Sequence, residues 1–173
     1  MTDAHLVLVG LMGVGKTSVG EVCATRLDRP FVDTDDLVET AAGMTIADVF
    51  AYYGEARFRA LEREAVTDAC ASPVPAVVAC GGGAVLHADN RRRLKTAGLV
   101  VWLQAPPEVL VDRVGRGHAR AERPLLADGP APTLERLAVV RADAYGAVAD
   151  AHIDTSGLTV SEVADAVLEV YRL

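Results

Sequence analysis

Residues 10–17 read GLMGVGKT, which places Gly10, Gly15, Lys16 and Thr17 at the spacing G-x-x-x-x-G-K-[ST]. Glycines let the backbone turn tightly, so that successive N–H groups point into one concavity. The N-terminus of a following helix adds partial positive charge. Such a cradle suits a polyphosphate. Lys16 has the reach for the β- and γ-phosphates, and Thr17 offers a hydroxyl to Mg2+. A strand-like HLVLV before the loop and a helical SVGEVCATRL after it supply the right context. A plain glycine turn with a surface lysine is the weaker reading. The loop predicts a nucleoside triphosphate with Mg2+, without saying whether the protein is a motor, a switch or a kinase.

Three further stretches bear on that choice. In FVDTDD, residues 31–36, Asp33 and Asp35 alternate, so on an extended segment they face the same way. Phosphoryl transfer to an alcohol needs one group to orient the hydroxyl and accept its proton, and another to help hold Mg2+. Helix capping is an equal alternative for Asp33 and Asp35, and the expected role of Asp36. In GEARFRALE, residues 54–62, Arg59 and Glu62 sit three apart on a helix and can pair. That pair is either a surface salt bridge or a fork held ready for a substrate carboxylate. CGGGAV, residues 80–85, spends three consecutive glycines where a backbone must approach a ligand closely, or else forms a simple turn.

Arginines crowd the next irregular region. Arg113, Arg116, Arg120, Arg123 and Arg141 lie in or beside GRGHARAERPLLADGPAP, residues 115–132. Gathering cations is unfavourable unless an anion joins them. A lid closing over a triphosphate supplies that anion and excludes water. A solvated role is expected for Arg116 and Arg120.

The elements that must position these residues alternate. HLVLV (5–9), AVVAC (76–80), LVVWL (99–103), AHIDT (151–155) and PFVDTD (30–35) read as strands. They are too uniformly apolar for a half-exposed sheet, which points to parallel strands covered on both faces. Helices are expected over 16–27, from a Thr45 cap to Gly54, and on through about 70 with Phe58, Leu61, Ala65 and Ala69 inward. Others are expected over 88–97, near 107–115 behind Pro107, from a Thr133 cap to 148, and from a Ser161 cap onward with Val163, Ala166, Val167 and Val170 inward. The alternation implies one three-layer α/β/α domain with a parallel sheet.

Bulk properties narrow the classes. The chain has 173 residues and a net charge of −7, which disfavours general nucleic-acid binding. The run Arg91–Arg93 is expected on a solvated face. No stretch approaches a membrane span, and the first residues lack the basic n-region of a leader. Cys23, Cys70 and Cys80 read as reduced thiols of a cytoplasmic protein. A monomer is the default.

Taken together, GLMGVGKTSVG, FVDTDD, ADVFAYYGEARFRALE, CGGGAV, RPLL and the helix containing Arg141 resemble the shikimate kinase family in order and spacing. The resemblance covers nearly the whole chain. It implies a P-loop fold similar to nucleoside monophosphate kinases, with a five-stranded parallel sheet, a lid near 112–128 and a shikimate-binding helical segment near 33–61. It implies transfer of phosphate from ATP to the 3-hydroxyl of shikimate, releasing ADP, a step toward chorismate and the aromatic amino acids. By position, Gly13, Val14, Gly15, Lys16, Thr17 and Ser18 are implied to hold the nucleotide phosphates. Thr17, with Asp33, is implied to bind Mg2+, and Asp35 to be the base. Arg59, backed by Glu62, and Arg141 are implied to clamp the shikimate carboxylate. Gly81, Gly82 and Gly83 are implied to line that pocket, with Phe50 and Phe58 as its apolar walls. Arg123 is implied to be the lid arginine that meets the phosphates, and Arg113 to lie against the adenine.

The sequence departs from the family in two places. The segment before RPLL is a few residues longer than usual, so the register of Arg113, Arg116 and Arg120 stays open. Cys80 stands where Thr, Ser or Leu is more usual; it is expected to be buried and not a nucleophile. A related kinase, for example of gluconate, is the alternative enzyme. A nucleotide-binding module without turnover is the alternative class.

Overall fold

The structure is a computed structural model that describes residues 4–116 and 129–172. Five strands form one parallel sheet in the order β2-β3-β1-β4-β5. They are β1 (His5–Val9), β2 (Phe31–Asp33), β3 (Val77–Ala79), β4 (Gly98–Gln104) and β5 (Ala151–Asp154). All five residues of β1 are buried, as befits a central strand flanked on both sides. Val7 pairs with Val78 on one side and Val100 on the other. From β3 the chain crosses over β1 to reach β4, so connections diverge above the C-terminal end of β1, where open α/β sheets take their ligands.

Among the described residues, α-helices surround the sheet: α1 (Lys16–Leu27), α2 (Thr34–Ala42), α3 (Ile46–Ala71), α4 (Ala88–Ala97), α5 (Pro107–Arg116), α6 (Pro130–Val148) and α7 (Val160–Arg172). The strands and most helices share one apolar core. A second, smaller cluster of Val38, Val49, Phe58, Leu61 and Ala65 holds α2 against α3.

Several local expectations are corrected. PFVDTD does not stay extended: the strand stops at Asp33 and α2 begins at Thr34. Asp33, not Asp36, is the cap, its side chain accepting from Asp35 N. Thr45 does cap α3, and the helix resumes beyond Gly54 across a kink. Gly54, at φ 78° and ψ 174°, adopts backbone angles open to little but glycine. α6 starts at Pro130 rather than behind Thr133, because a proline in the first turn has φ preset and no N–H to satisfy. Thr159, not Ser161, opens α7: it accepts from Glu162 N while Glu162 accepts from Thr159 N, a reciprocal capping box. The buried stripe of α7 is Val163, Ala164, Val167, Leu168 and Tyr171, with Ala166 and Val170 at its margin. Arg91 is not merely solvated, since it donates to the carbonyls of Val85 and Leu86.

Candidate active site

The phosphate loop runs between β1 and α1. Gly10, Gly13 and Gly15 have φ of 145°, 81° and 101°, in the left-handed region that favours glycine. Gly10 is required for space as well, because a Cβ there would lie 2.4 Å from the carbonyl oxygen of Leu103. Val14 is buried beneath the loop and Ser18 is exposed. Lys16 Nζ donates to the carbonyls of Gly10 and Leu11 at 2.9 and 3.0 Å, which holds its ammonium against the loop.

Thr17 and Asp33 meet across the ends of α1 and β2. Thr17 Oγ1 donates to Asp33 Oδ2 at 2.8 Å, and Asp33 Oδ1 accepts from Asp35 N at 3.0 Å. One carboxylate therefore caps α2 and fixes the threonine hydroxyl. Asp35 lies in the first turn of α2, not on an extended strand beside Asp33. Burial, with the negative charge of Asp33 adding to it and Lys16 opposing, pushes the Asp35 carboxyl up to about 6. A carboxylate with that affinity can take a proton near neutrality, whereas an ordinary one is too weak a base.

A second group of side chains comes from α3 and α6 and meets at the glycine loop. Arg59 Nη1 donates to Glu62 Oε2 at 2.8 Å. A second carboxylate also meets this arginine, since Nε and Nη2 donate to Glu55 Oε1 at 3.3 and 3.0 Å. Glu62 is buried, and its other oxygen, Oε1, has no hydrogen-bond partner. Burial raises the Glu62 carboxyl, against the pull of Arg59 and Arg141.

The three glycines explain how these groups come together. None has a positive φ; they are needed for close approach. A Cβ at Gly81 would lie 2.5 Å from Asp35 Oδ1 and 3.2 Å from Glu62 Oε1. At Gly82 it would lie 3.2 Å from Arg141 Nη1, and at Gly83 only 2.0 Å from Arg59 Nη1. The bare backbone thus lets Asp35, Arg59, Glu62 and Arg141 converge on one short loop. Phe50 and Phe58 stand beside them with ring centroids 4.8 Å apart, and the Arg59 guanidinium lies 5.1 Å from the Phe58 ring centroid.

Arg113 ties α5 to the segment after β5, donating to Thr155 Oγ1 and to the Thr155 carbonyl, each at 2.8 Å. Arg120 and Arg123, with the RPLL motif, lie outside the described residues, as does the side chain of Arg116. Of the expected lid, only 112–116 is described, as the end of α5. Cys80 is buried, and burial raises its thiol well above the usual range, which fits no nucleophilic role. Cys23, Cys70 and Cys80 carry no disulfide.

Sequence reasoning missed three contributors. Thr34 Oγ1 accepts from Gly81 N at 2.8 Å. Glu55 supplies the second carboxylate on Arg59. Tyr145 donates to the Gly82 carbonyl at 2.6 Å. Only Glu55, one helical turn before Arg59, left a trace in sequence spacing.

The family profile described as shikimate kinase matches residues 12–172. A shikimate kinase from Symbiobacterium thermophilum is 48% identical over 167 residues, covering 95% of this chain and 94% of the relative. A crystal structure of shikimate kinase from Acinetobacter baumannii in complex with shikimate superposes with a TM-score of 0.90 at 36% identity, covering 96% of this chain and 92% of that one. A gluconokinase from Sinorhizobium meliloti shares the fold at a TM-score of 0.61 and 20% identity, covering 98% of this chain and 94% of that one.

Proposed function

The chain belongs to the shikimate kinase family, and from that premise we propose how its residues divide the work of moving a phosphoryl group from ATP to the 3-hydroxyl of shikimate. The products are shikimate 3-phosphate and ADP. The observation that carries the assignment of roles is the convergence of Asp35, Arg59, Glu62 and Arg141 on Gly81–Gly83.

Gly13, Val14, Gly15, Lys16, Thr17 and Ser18 receive the phosphates, through backbone N–H groups and the Lys16 ammonium. Two of the five N–H groups of Arg59 are not committed to the glutamates. With Arg141 they form the clamp for the shikimate carboxylate, and Glu62 fixes the fork from behind. Phe50 and Phe58 wall the ring. Asp35 holds the 3-hydroxyl and accepts its proton as the oxygen attacks the terminal phosphorus, whose bond to the bridging oxygen breaks as ADP leaves. Arg123 meets the transferring phosphoryl group from a lid at about 112–128, and Arg113 flanks the adenine. The acceptor segment, about 33–61, is supported by the separate apolar cluster between α2 and α3.

The residues fit Mg2+. The proton of the Thr17 hydroxyl goes to Asp33, which leaves the hydroxyl lone pairs available. A hydroxyl and a carboxylate form an all-oxygen set of the kind that takes Mg2+ together with phosphate oxygens. When bound, the ion neutralises charge on the β- and γ-phosphates. The described residues hold no cluster of three acids, histidines or cysteines that could bind an ion.

The protein is placed in the cytoplasm as a monomer, without nucleic-acid or membrane partners. Support comes from its three cysteines without a disulfide and its net charge of −7; among the described residues no helix is long and apolar enough to cross a membrane. The deciding experiment is ADP release from purified protein with Mg-ATP, with and without shikimate, and with gluconate as control. A rate that appears only with shikimate supports the reading. A rate with gluconate alone moves the chain to the alternative enzyme, and binding of ATP without any acceptor-dependent rate moves it to a regulatory module.

A further inference from the structure

We infer that Tyr145 is a positioning residue for the acceptor pocket, fixing the Gly82 carbonyl, and with it the loop against Arg141, through one buried hydroxyl. Tyr145 lies one turn beyond Arg141 on α6 and is 1% exposed. Its hydroxyl donates to the Gly82 carbonyl at 2.6 Å. The Gly82 backbone it holds lies against Arg141, since a Cβ on Gly82 would come within 3.2 Å of Arg141 Nη1. The proton of the hydroxyl is thus spent on the pocket and not on the surrounding core. Burial pushes the hydroxyl up to about 12, so it stays a donor through the physiological range.

The ring is anchored from the sheet. It stacks on Trp102 of β4, with centroids 5.3 Å apart and planes at 27°. Trp102 in turn meets His152 of β5 at 5.2 Å. The position of the hydroxyl is therefore referred to the central sheet and not only to α6. Beside the ring lies a cavity of about 120 Å³, lined among others by Leu11, Val14, Leu110 and Ala138. A ring without its hydroxyl has room to move there. Arg141 is 2% exposed, and a buried guanidinium set slightly wrong meets a planar carboxylate poorly, because bidentate pairing is strict in geometry.

The inference rests on the reading of Gly82 and Arg141 as acceptor residues, and it is tested by Tyr145→Phe. The ring and its stack remain, so the core is kept. We expect the shikimate KM to rise about tenfold, with the ATP KM unchanged and kcat within about threefold. Trp102 is the single tryptophan of the chain, and its emission gives a shikimate Kd without turnover; the same tenfold loss is expected there. Trp102→Phe is the control: it changes the same part of the core but keeps an aromatic ring for Tyr145 to stack on and keeps the hydroxyl, so its shikimate KM should stay near wild type. An unchanged shikimate KM in Tyr145→Phe, or an equal rise in Trp102→Phe, overturns the inference while wild-type activity upholds the proposed function. A wild type that neither phosphorylates nor binds shikimate overturns both.

Discussion

Arg59 reaches Glu62 Oε2 at 2.8 Å, yet Glu62 Oε1 is buried without a hydrogen-bond partner and lies where a Cβ on Gly81 would come within 3.2 Å of it. A buried carboxylate is costly unless paired, and this one is only half paired; the proposed role of the pair in the acceptor pocket gives that cost a purpose.

Arg59→Ala should therefore raise the shikimate KM about 30-fold or more, as truncating one partner of a desolvated charge pair costs about 2–5 kcal/mol. The ATP KM should hardly change. Glu62→Gln keeps the shape and weakens the grip, so a rise of roughly tenfold is expected. Steady-state kinetics with each substrate varied in turn is the check, and equal effects on both KM values would refute the pocket.

Gly83→Ala separates sterics from backbone strain. Gly83 sits at φ −97°, which alanine accepts, but the new Cβ would lie 2.0 Å from Arg59 Nη1. The far end of a flexible side chain can move, so the melting temperature should fall by little while the shikimate KM rises. Gly10→Ala should behave oppositely: it meets the Leu103 backbone at 2.4 Å and has φ 145°, so thermal unfolding should show a large loss.

Asp35 links activity to stability. Its carboxyl is raised to about 6, so kcat/KM for shikimate should fall tenfold per pH unit below that value and level off above it. Asp35→Asn should lower kcat by about 10²–10⁴ and leave ATP binding intact. For stability the sign is reversed. A carboxyl raised in the fold contributes fully below its unfolded value and loses that contribution as pH rises through about 6. At pH 8 Asp35→Asn should thus be more stable than wild type, by about 3 kcal/mol; at pH 4 the gain should shrink. Denaturation at the two pH values decides it.

Thr17 and Asp33 share one hydrogen bond of 2.8 Å, so both should govern the Mg2+ requirement. Thr17→Val should raise the Mg2+ concentration for half-maximal rate, and Thr17→Ser should restore it. Asp33→Ala should also lower the melting temperature, because losing the cap of α2 costs about 1 kcal/mol. Asp33→Asn retains a cap and should show the Mg2+ effect alone. A Mg2+ curve unmoved by Thr17→Val would remove Thr17 from the metal site.

The sequence by itself determined the parts whose chemistry is local. The phosphate loop follows from glycine backbone freedom and a fixed spacing between strand and helix. The parallel sheet follows from strands apolar on both faces, and the Arg59–Glu62 pair follows from helical periodicity. Tertiary structure decided what depends on contacts distant along the chain. Whether Asp35 is extended or helical turned on where β2 gives way to α2, and a two-residue alternation looks the same on either. Sequence left the glycine loop as either a close approach or a simple turn; the side chains from α2, α3 and α6 that rest against it decide for close approach. Tyr145 carries no signal at all in sequence: an apolar-looking position on a helix became a polar anchor because Gly82, 63 residues away, presents its carbonyl there. Hydrogen bonds of that kind are set by how the helices pack, and residue spacing along one element does not encode them.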